Sequence, residues 1–309
     1  MSANPLASQP TFTDSRISGM ILGAFVGDAL SLSAHWIYDT KTISDKLGRL
    51  GRLADPLSEY HKGKTAGDYT HLGDQMWILQ QSVAKTGGTF DANDFSQRWR
   101  AFWKDPAITA YRDTATKQTL EGLARGTALP EAGSLSEELA GAARCIPVIA
   151  AGLASGKSEM ALIESAQEQT ALTHRGLAPL HAAAFLARLS LGLVAGLDLN
   201  TALDGALCDS SQVIRDLGQK AAAPKLQALS TADAIAQLGQ ACDLRQAFPS
   251  TLLLLTRYAH SFEEALVENV LAGGDSASRG IILGAILGYV HGVDAIPKAW
   301  RDGLHNLPC

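Results

Sequence analysis

Two stretches decide the fold: Gly19-Met20-Ile21-Leu22-Gly23-Ala24-Phe25-Val26-Gly27-Asp28 near the start, and Gly280-Ile281-Ile282-Leu283-Gly284-Ala285-Ile286-Leu287-Gly288 near the end. In both, glycine returns every fourth residue. On a helix that spacing lines the glycines along one face, where the missing side chains let another backbone come close. An interior glycine costs up to about 1 kcal/mol against alanine, so three per helix predict tight packing in return. The two helices are expected to be central and to touch each other.

Working outward, helical spacing continues almost everywhere, while the alternation and β-branched runs of strands are scarce. Ile17, Met20, Ile21, Ala24 and Asp28 fall on one face of a helix that Asp14 or Ser15 can cap. Asp91 precedes the amphipathic set Phe95, Trp99, Phe102 and Trp103. Ser261 and Glu264 have capping-box spacing before Ala265, Leu266 and Val270. Helical periods also run through 137–153, 160–172, 177–194, 203–217 and 248–258, with Pro147 kinking or restarting its helix. Gly87-Gly88, Gly133, the 152–156 stretch and Gly273-Gly274 break the pattern. Residues 46–70 read as a long irregular loop, of the kind that is usually functional or disordered. The reading is an all-α, compact multi-helix domain over 14–309, with 1–13 as a flexible tail.

Composition limits the function classes. Hydrophobic residues make up 46% of the 309, enough for a large core, and the net charge of −5 lacks the basic stripe of a nucleic-acid binder. The longest apolar runs read from the sequence, 252–255 and 281–290, are too short to cross a bilayer, so no membrane partner is expected. Cys145, Cys208, Cys242 and Cys309 have no paired or metal-type spacing and read as buried thiols in a reducing compartment. With no secretory signal at the start, the expected location is cytoplasmic.

Several polar residues break the apolar pattern. Asp28 extends a buried helix face toward a helix C-terminus, a poor place for a lone carboxylate. It is either bonded to backbone amides or holds a cation, an arginine or a polar network. His35-Trp36 sits among aromatics just before Asp39, as an acid–base group, a stacking wall or a satisfied histidine. Thr70, His71, Asp74 and Gln75 form a dense polar set at the start of another apolar helix. His174 lies between two helical periods, and His181, among alanines, reads as a core histidine. Gly273-Gly274-Asp275-Ser276-Ala277-Ser278 opens the second glycine-spaced helix; free amides and hydroxyls there suit a phosphate or, through Asp275, a cation, unless they only cap.

Together these pieces resemble the ADP-ribosylglycohydrolase family, in the expected order from about Ile17 to Trp300. Gly27-Asp28-Ala29-Leu30 is similar to its Gly-Asp-Ala-Leu signature. The 262–300 stretch carries Phe262-Glu263-Glu264-Ala265-Leu266, the Gly-Gly-Asp turn, Ile296-Pro297 and Trp300. The resemblance implies an all-helical, orthogonal-bundle glycosidase in which two magnesium ions orient an ADP-ribose.

The sequence departs from that pattern at the metal ligands. His71-Leu72-Gly73-Asp74 stands where the family has Thr-Asp-Asp-Thr, Ala277 replaces an aspartate, and His35 falls where many members have a glutamate. An ordinary two-magnesium centre is therefore not expected, since a divalent pair needs several hard oxygen ligands. The replacements resemble a divergent branch that includes lens crystallins and selenoprotein relatives. The expected activity is cleavage of an ADP-ribosyl, ribosyl or nucleoside glycosidic bond, on a small-molecule or ADP-ribosylated substrate. The alternative is a catalytically inactive binder or crystallin-like relative. Asp28, His35 and Asp74 are the expected acid–base residues; Thr70, His71, Gln75, His174, Gly273, Gly274 and Ser276 the expected substrate contacts; Asp74, Asp275 and Ser278 the ligands of any metal. Oligomeric state is not legible.

Overall fold

The computed structural model describes residues 15–308. The expected tail at 1–13, the Asp14 cap and Cys309 lie outside the described residues. The chain runs through α1 (Ser15–Leu32), α2 (Thr40–Leu47), a 3-10 turn (Glu59–His61), α3 (His71–Lys85), α4 (Ala92–Lys104) and α5 (Thr114–Ala124). It continues with α6 (Ala140–Ala143), α7 (Ile146–Ala154), α8 (Glu159–Ala171), α9 (Leu177–Val194), α10 (Leu199–Cys208), α11 (Gln212–Ala221) and α12 (Pro224–Gln227). The last helices are α13 (Thr231–Leu238), α14 (Leu244–Arg257), α15 (Phe262–Leu271), α16 (Ser276–His291) and α17 (Lys298–Arg301). Among the described residues there is no strand, only two isolated bridges.

The two glycine-spaced helices, α1 and α16, form the most extensive pair in the molecule. They run antiparallel: a methyl group on Gly19 would overlap the Gly288 carbonyl, one on Gly23 that of Gly284, and one on Gly27 that of Gly280. The helices meet backbone to backbone at three levels over about two turns, and both are buried on nearly all sides. The main core wraps this pair; a smaller cluster of Phe95, Trp99, Trp103, Leu79 and Val83 lies under α3 and α4.

The caps follow the sequence. Asp91 accepts from the amides of Asn93 and Asp94, and Ser261 accepts from that of Glu264. The return half of the capping box does not form, because the Glu264 carboxylate pairs with Arg49. Pro147 sits in the first turn of α7 and restarts the helix there. The 203–217 period is two helices rather than one, separated at Asp209-Ser210-Ser211. His181 is only half-buried, and Cys208 is exposed, so neither is the core residue expected. One helix, Leu177–Val194, is long and apolar enough to cross a membrane on length and composition, which the sequence reading missed. Most of it is buried in the bundle against α8 and α10, as befits a core helix.

Candidate active site

The inner ends of the seam position the site. Asp28 lies near the C-terminal end of α1, fully buried. Its carboxylate accepts the Thr70 amide at 2.7 Å and the Thr70 hydroxyl at 2.6 Å. That hydroxyl in turn caps α3, accepting from the amides of Leu72 and Gly73. A methyl group on Gly73 would overlap the Asp28 carboxylate, which explains a glycine in that first turn. Asp28 thus escapes the unfavourable end of its own helix by facing the electropositive start of another. Burial lifts its pKa to about 6, against the lowering effect of the Thr70 bonds. Expected among the acid–base groups, it is sealed behind Thr70 and supports the site from beneath. Thr70, an expected substrate contact, is equally buried in that support.

The Gly273-Gly274 turn departs from expectation in the same sense. Its amides are not free for a phosphate. The amide of Gly274 bonds to the Ile37 carbonyl, that of Asp275 to Gln240, that of Ser276 to Gly274, and that of Ala277 to His35 Nδ1 at 3.3 Å. Both glycines have positive φ, 68° and 73°, and a methyl group on either would strike a carbonyl, of Ile37 or of Gln240. They shape the turn. Ser276 is turned inward as well: its carbonyl accepts from Asn269 and Ser31 between α1, α15 and α16.

Asp275 is what this turn delivers. Its buried carboxylate accepts the Trp36 indole N–H at 3.2 Å and the Ser278 hydroxyl at 3.3 Å. Burial raises its pKa, opposed by the Trp36 bond and by the Arg279 charge. Arg279, buried in the apolar helix α16, donates to Asn269 and to the Gly273 carbonyl, tying the turn to α15. Asp74, in the first turn of α3, is paired with Lys64 at 2.7 Å; burial raises its pKa and Lys64 lowers it.

His71 opens α3 and is near enough to Asp74 and Asp275 that a charge on it would lower both carboxyls, against the effect of burial. Its Nε2 lies 3.5 Å from Asp113 Oδ2. Asp113 caps α5 through the Thr116 amide at 2.6 Å. Burial pushes the Asp113 pKa up, but the nearby His71 and the Thr116 amide outweigh it and hold the carboxyl below its usual range.

Gln75 and His174, expected to contact substrate, join a separate buried network. Gln75 Oε1 accepts from Trp99 Nε1 at 2.7 Å and Arg144 Nη1 at 3.0 Å; Arg144 Nη2 donates to Thr173, whose hydroxyl meets His174 Nδ1 at 2.9 Å. His174 Nε2 stands 3.7 Å from Glu138 Oε2. Leu72, Gln75, Asp113, Ala140, Arg144 and His174 pack closely around this network and leave no space that would admit a water molecule.

An aromatic layer covers the site. Trp36 stacks on His35 at 4.4 Å and on His61 at 5.4 Å, and meets Tyr60 and Tyr111 edge-on at 5.2 and 4.8 Å. It is the one non-glycine residue with positive φ, 68°, among those described. Its amide bonds to the Gly274 carbonyl, so the loop after α1 and the turn before α16 hold this unfavourable conformation between them. Burial, with His61 and His71 nearby, lowers the His35 pKa well below its usual value; burial, His71 and Lys64 bring that of His61 to about 3.

The structure therefore brings His35, His71, Asp74, Asp275 and Ser278 to one region. It adds His61, Tyr60, Tyr111 and Asp113 to the site, and Arg144 to the separate network, none of which the sequence reading singled out. Arg144 had a signal: a lone arginine in the apolar 139–151 stretch is a buried charge in need of partners. His61, in a loop without periodicity, had none.

Comparison with known proteins agrees with this architecture. The sequence profile of the ADP-ribosylglycohydrolase family matches residues 9–309, and the chain belongs to that family. Family membership supports a hydrolase-like function and suggests ADP-ribosylated substrates. A protein of Archaeoglobus fulgidus described only as "Uncharacterized protein" is 27% identical over 295 residues, covering 95% of this chain and 92% of the relative. A solved structure titled "ADP-ribosylglycohydrolase-related protein complex" superposes with a TM-score of 0.68 at 23% identity, covering 94% of this chain and 92% of that one; it shows the fold.

Proposed function

We propose that this chain hydrolyses the glycosidic bond of an ADP-ribosyl or related ribosyl group in the cleft between the loop after α1, the start of α3 and the turn before α16, without a two-magnesium centre. The observation that carries this reading is the state of the carboxylates. Asp74 is neutralised by Lys64, Asp275 is bonded to Trp36 and Ser278, and Ala277 offers no oxygen. Asp28 is sealed behind Thr70. Among the described residues no group of three or more His, Cys, Asp or Glu side chains converges as a metal site. A magnesium pair needs several hard, mostly anionic oxygen ligands, and these residues do not fit it.

What the cleft holds instead is the imidazoles of His35 and His61, kept neutral by burial, and the Trp36 indole beside the buried Asp275. Asp275 is suited to the positive charge that builds on the ribosyl ring as the bond loosens, and the aromatic layer excludes water that would screen it.

The test is to incubate the protein with ADP-ribosyl-arginine, ADP-ribosyl-serine and free nucleosides, with magnesium and with chelator. Product is expected under both conditions and should vanish in Asp275→Ala. Product that needs magnesium would overturn the metal-free part of the reading. A second reading, a crystallin-like relative that binds without turnover, is favoured by one feature: the Trp36 ring lies across Asp275. Ligand-induced thermal stabilisation with no product from any substrate would select it.

A further inference from the structure

Three buried histidines lie close together in the cleft. His35 follows α1, His61 ends the 3-10 turn and His71 opens α3; all three are essentially buried. Their ring centroids lie 5.3 Å (His35–His61), 6.0 Å (His35–His71) and 6.2 Å (His61–His71) apart. Nε2 of His35, both nitrogens of His61 and Nδ1 of His71 have no hydrogen-bond partner in the protein. A buried polar atom left alone costs about 1–3 kcal/mol. Four in one place, from three separate elements, call for a polar guest. A neutral imidazole offers one donor and one acceptor, so a guest that can both donate and accept would satisfy these nitrogens. A water molecule, or a substrate hydroxyl, has that chemistry. Among the described residues no three such side chains converge on one point as metal ligands would, so a guest here meets one or two of the rings.

The three rings are not equivalent. Only His71 has a carboxylate at its back, Asp113, and Asp113 is itself fixed as the cap of α5. An ionised carboxylate facing Nε2 keeps the proton on that nitrogen and leaves the lone pair on Nδ1. The Nε2 to Oδ2 distance of 3.5 Å is long, as catalytic hydrogen bonds often are before substrate binds. Trp36, Tyr60 and Tyr111 form the outer layer over these nitrogens, and Tyr60 is largely exposed.

We propose that His71 is the general base of the hydrolysis proposed above, that Asp113 positions it, and that His35 or His61 holds the attacking water. The inference rests on the hydrolase reading. A water O–H proton passes to His71 Nδ1 while the water oxygen bonds to C1′ of the ribosyl group. The C1′ bond to the leaving nitrogen or oxygen breaks, its electron pair departs with the leaving group, and the imidazolium returns the proton there. The balance needs no metal and no second reactant.

The test uses the full chain with ADP-ribosyl-arginine and ADP-ribosyl-serine as probes, together with long-range ¹⁵N–¹H spectra of its histidines. His71→Gln should lower kcat by about 100-fold or more while KM stays within about threefold. Asp113→Asn, which keeps an oxygen for the α5 cap, should lower kcat less and move His71 out of its Nε2–H tautomer. Wild-type turnover by His71→Gln, or an Nδ1–H tautomer for His71 in the unmodified protein, would overturn the proposal. The tautomer needs no variant, so it decides even if His71→Gln does not fold. Absence of product from the wild-type protein would instead remove the hydrolase reading, and the base assignment with it. The spectrum reports the Asp113–His71 pair separately, so the two failures are distinguishable.

Discussion

The α1–α16 seam and the cleft at its end are built from the same two helices by opposite means. Along the seam there are no side chains: glycine meets glycine, carbonyls fill the space, and a single added methyl has nowhere to go. In the cleft the side chains are large and polar, and several buried nitrogens have no partner at all. One region is fully satisfied; the other is left incomplete. That contrast is what a rigid support for a reactive site looks like, because groups waiting for substrate must be held by something that does not itself relax. The link between them is Asp28, whose carboxylate carries the end of the seam to the start of α3.

The sharpest way to break the contrast is to put a side chain into the seam. Gly23→Val drives a branched side chain into the Gly284 carbonyl, and should destabilise by more than about 4 kcal/mol, or prevent folding, as read by denaturant unfolding. Arg144→Met comes next. It strips Gln75 and Thr173 of a buried charged partner and should cost about 3–5 kcal/mol by the same measurement.

Asp28→Asn tests the link through pH. The carboxyl titrates near 6 in the folded chain, above its ordinary 3.8. Folding therefore favours the protonated form, and the wild-type protein gains stability relative to the variant as pH falls from about 6 to 4. The full difference is about 3 kcal/mol, followed by urea unfolding across that range; a gain on raising pH would refute it. The smallest effect should come from a cap remote from both regions: Asp91→Ala, at the start of α4, should cost about 1 kcal/mol in thermal unfolding and leave turnover unchanged.

The seam was open to reading because its cause is local. A glycine period needs no knowledge of the partner, and the second copy of the period supplied one. Asp91 and Ser261 were legible as caps for the same reason: a cap acts on amides two or three residues away. The 203–217 period failed because the apolar spacing carries on across Asp209-Ser210-Ser211, where the chain in fact turns.

In the site, residue type was informative but direction was not. Asp28, Gln75 and Ser276 are all polar residues in apolar surroundings, as expected of a pocket, yet each is committed to structural hydrogen bonds. A buried polar residue signals a partner without saying whether that partner is a ligand or another part of the chain. The free amides expected after Gly274 illustrate this: three of the four bonded amides find carbonyls or rings in segments far along the sequence.

By itself, then, the sequence determined the helical class, the central pair of helices and the thinning of the acidic residues that its family resemblance calls for, since all three follow from residue identity and short spacing. Tertiary structure decided which way each polar side chain faces. It set Trp36 across Asp275, placed Asp113 behind His71, and gathered histidines from positions 35, 61 and 71 into one group. Those arrangements depend on contacts between distant segments, where a rotation of one helix by a fraction of a turn would exchange an active-site group for a core one.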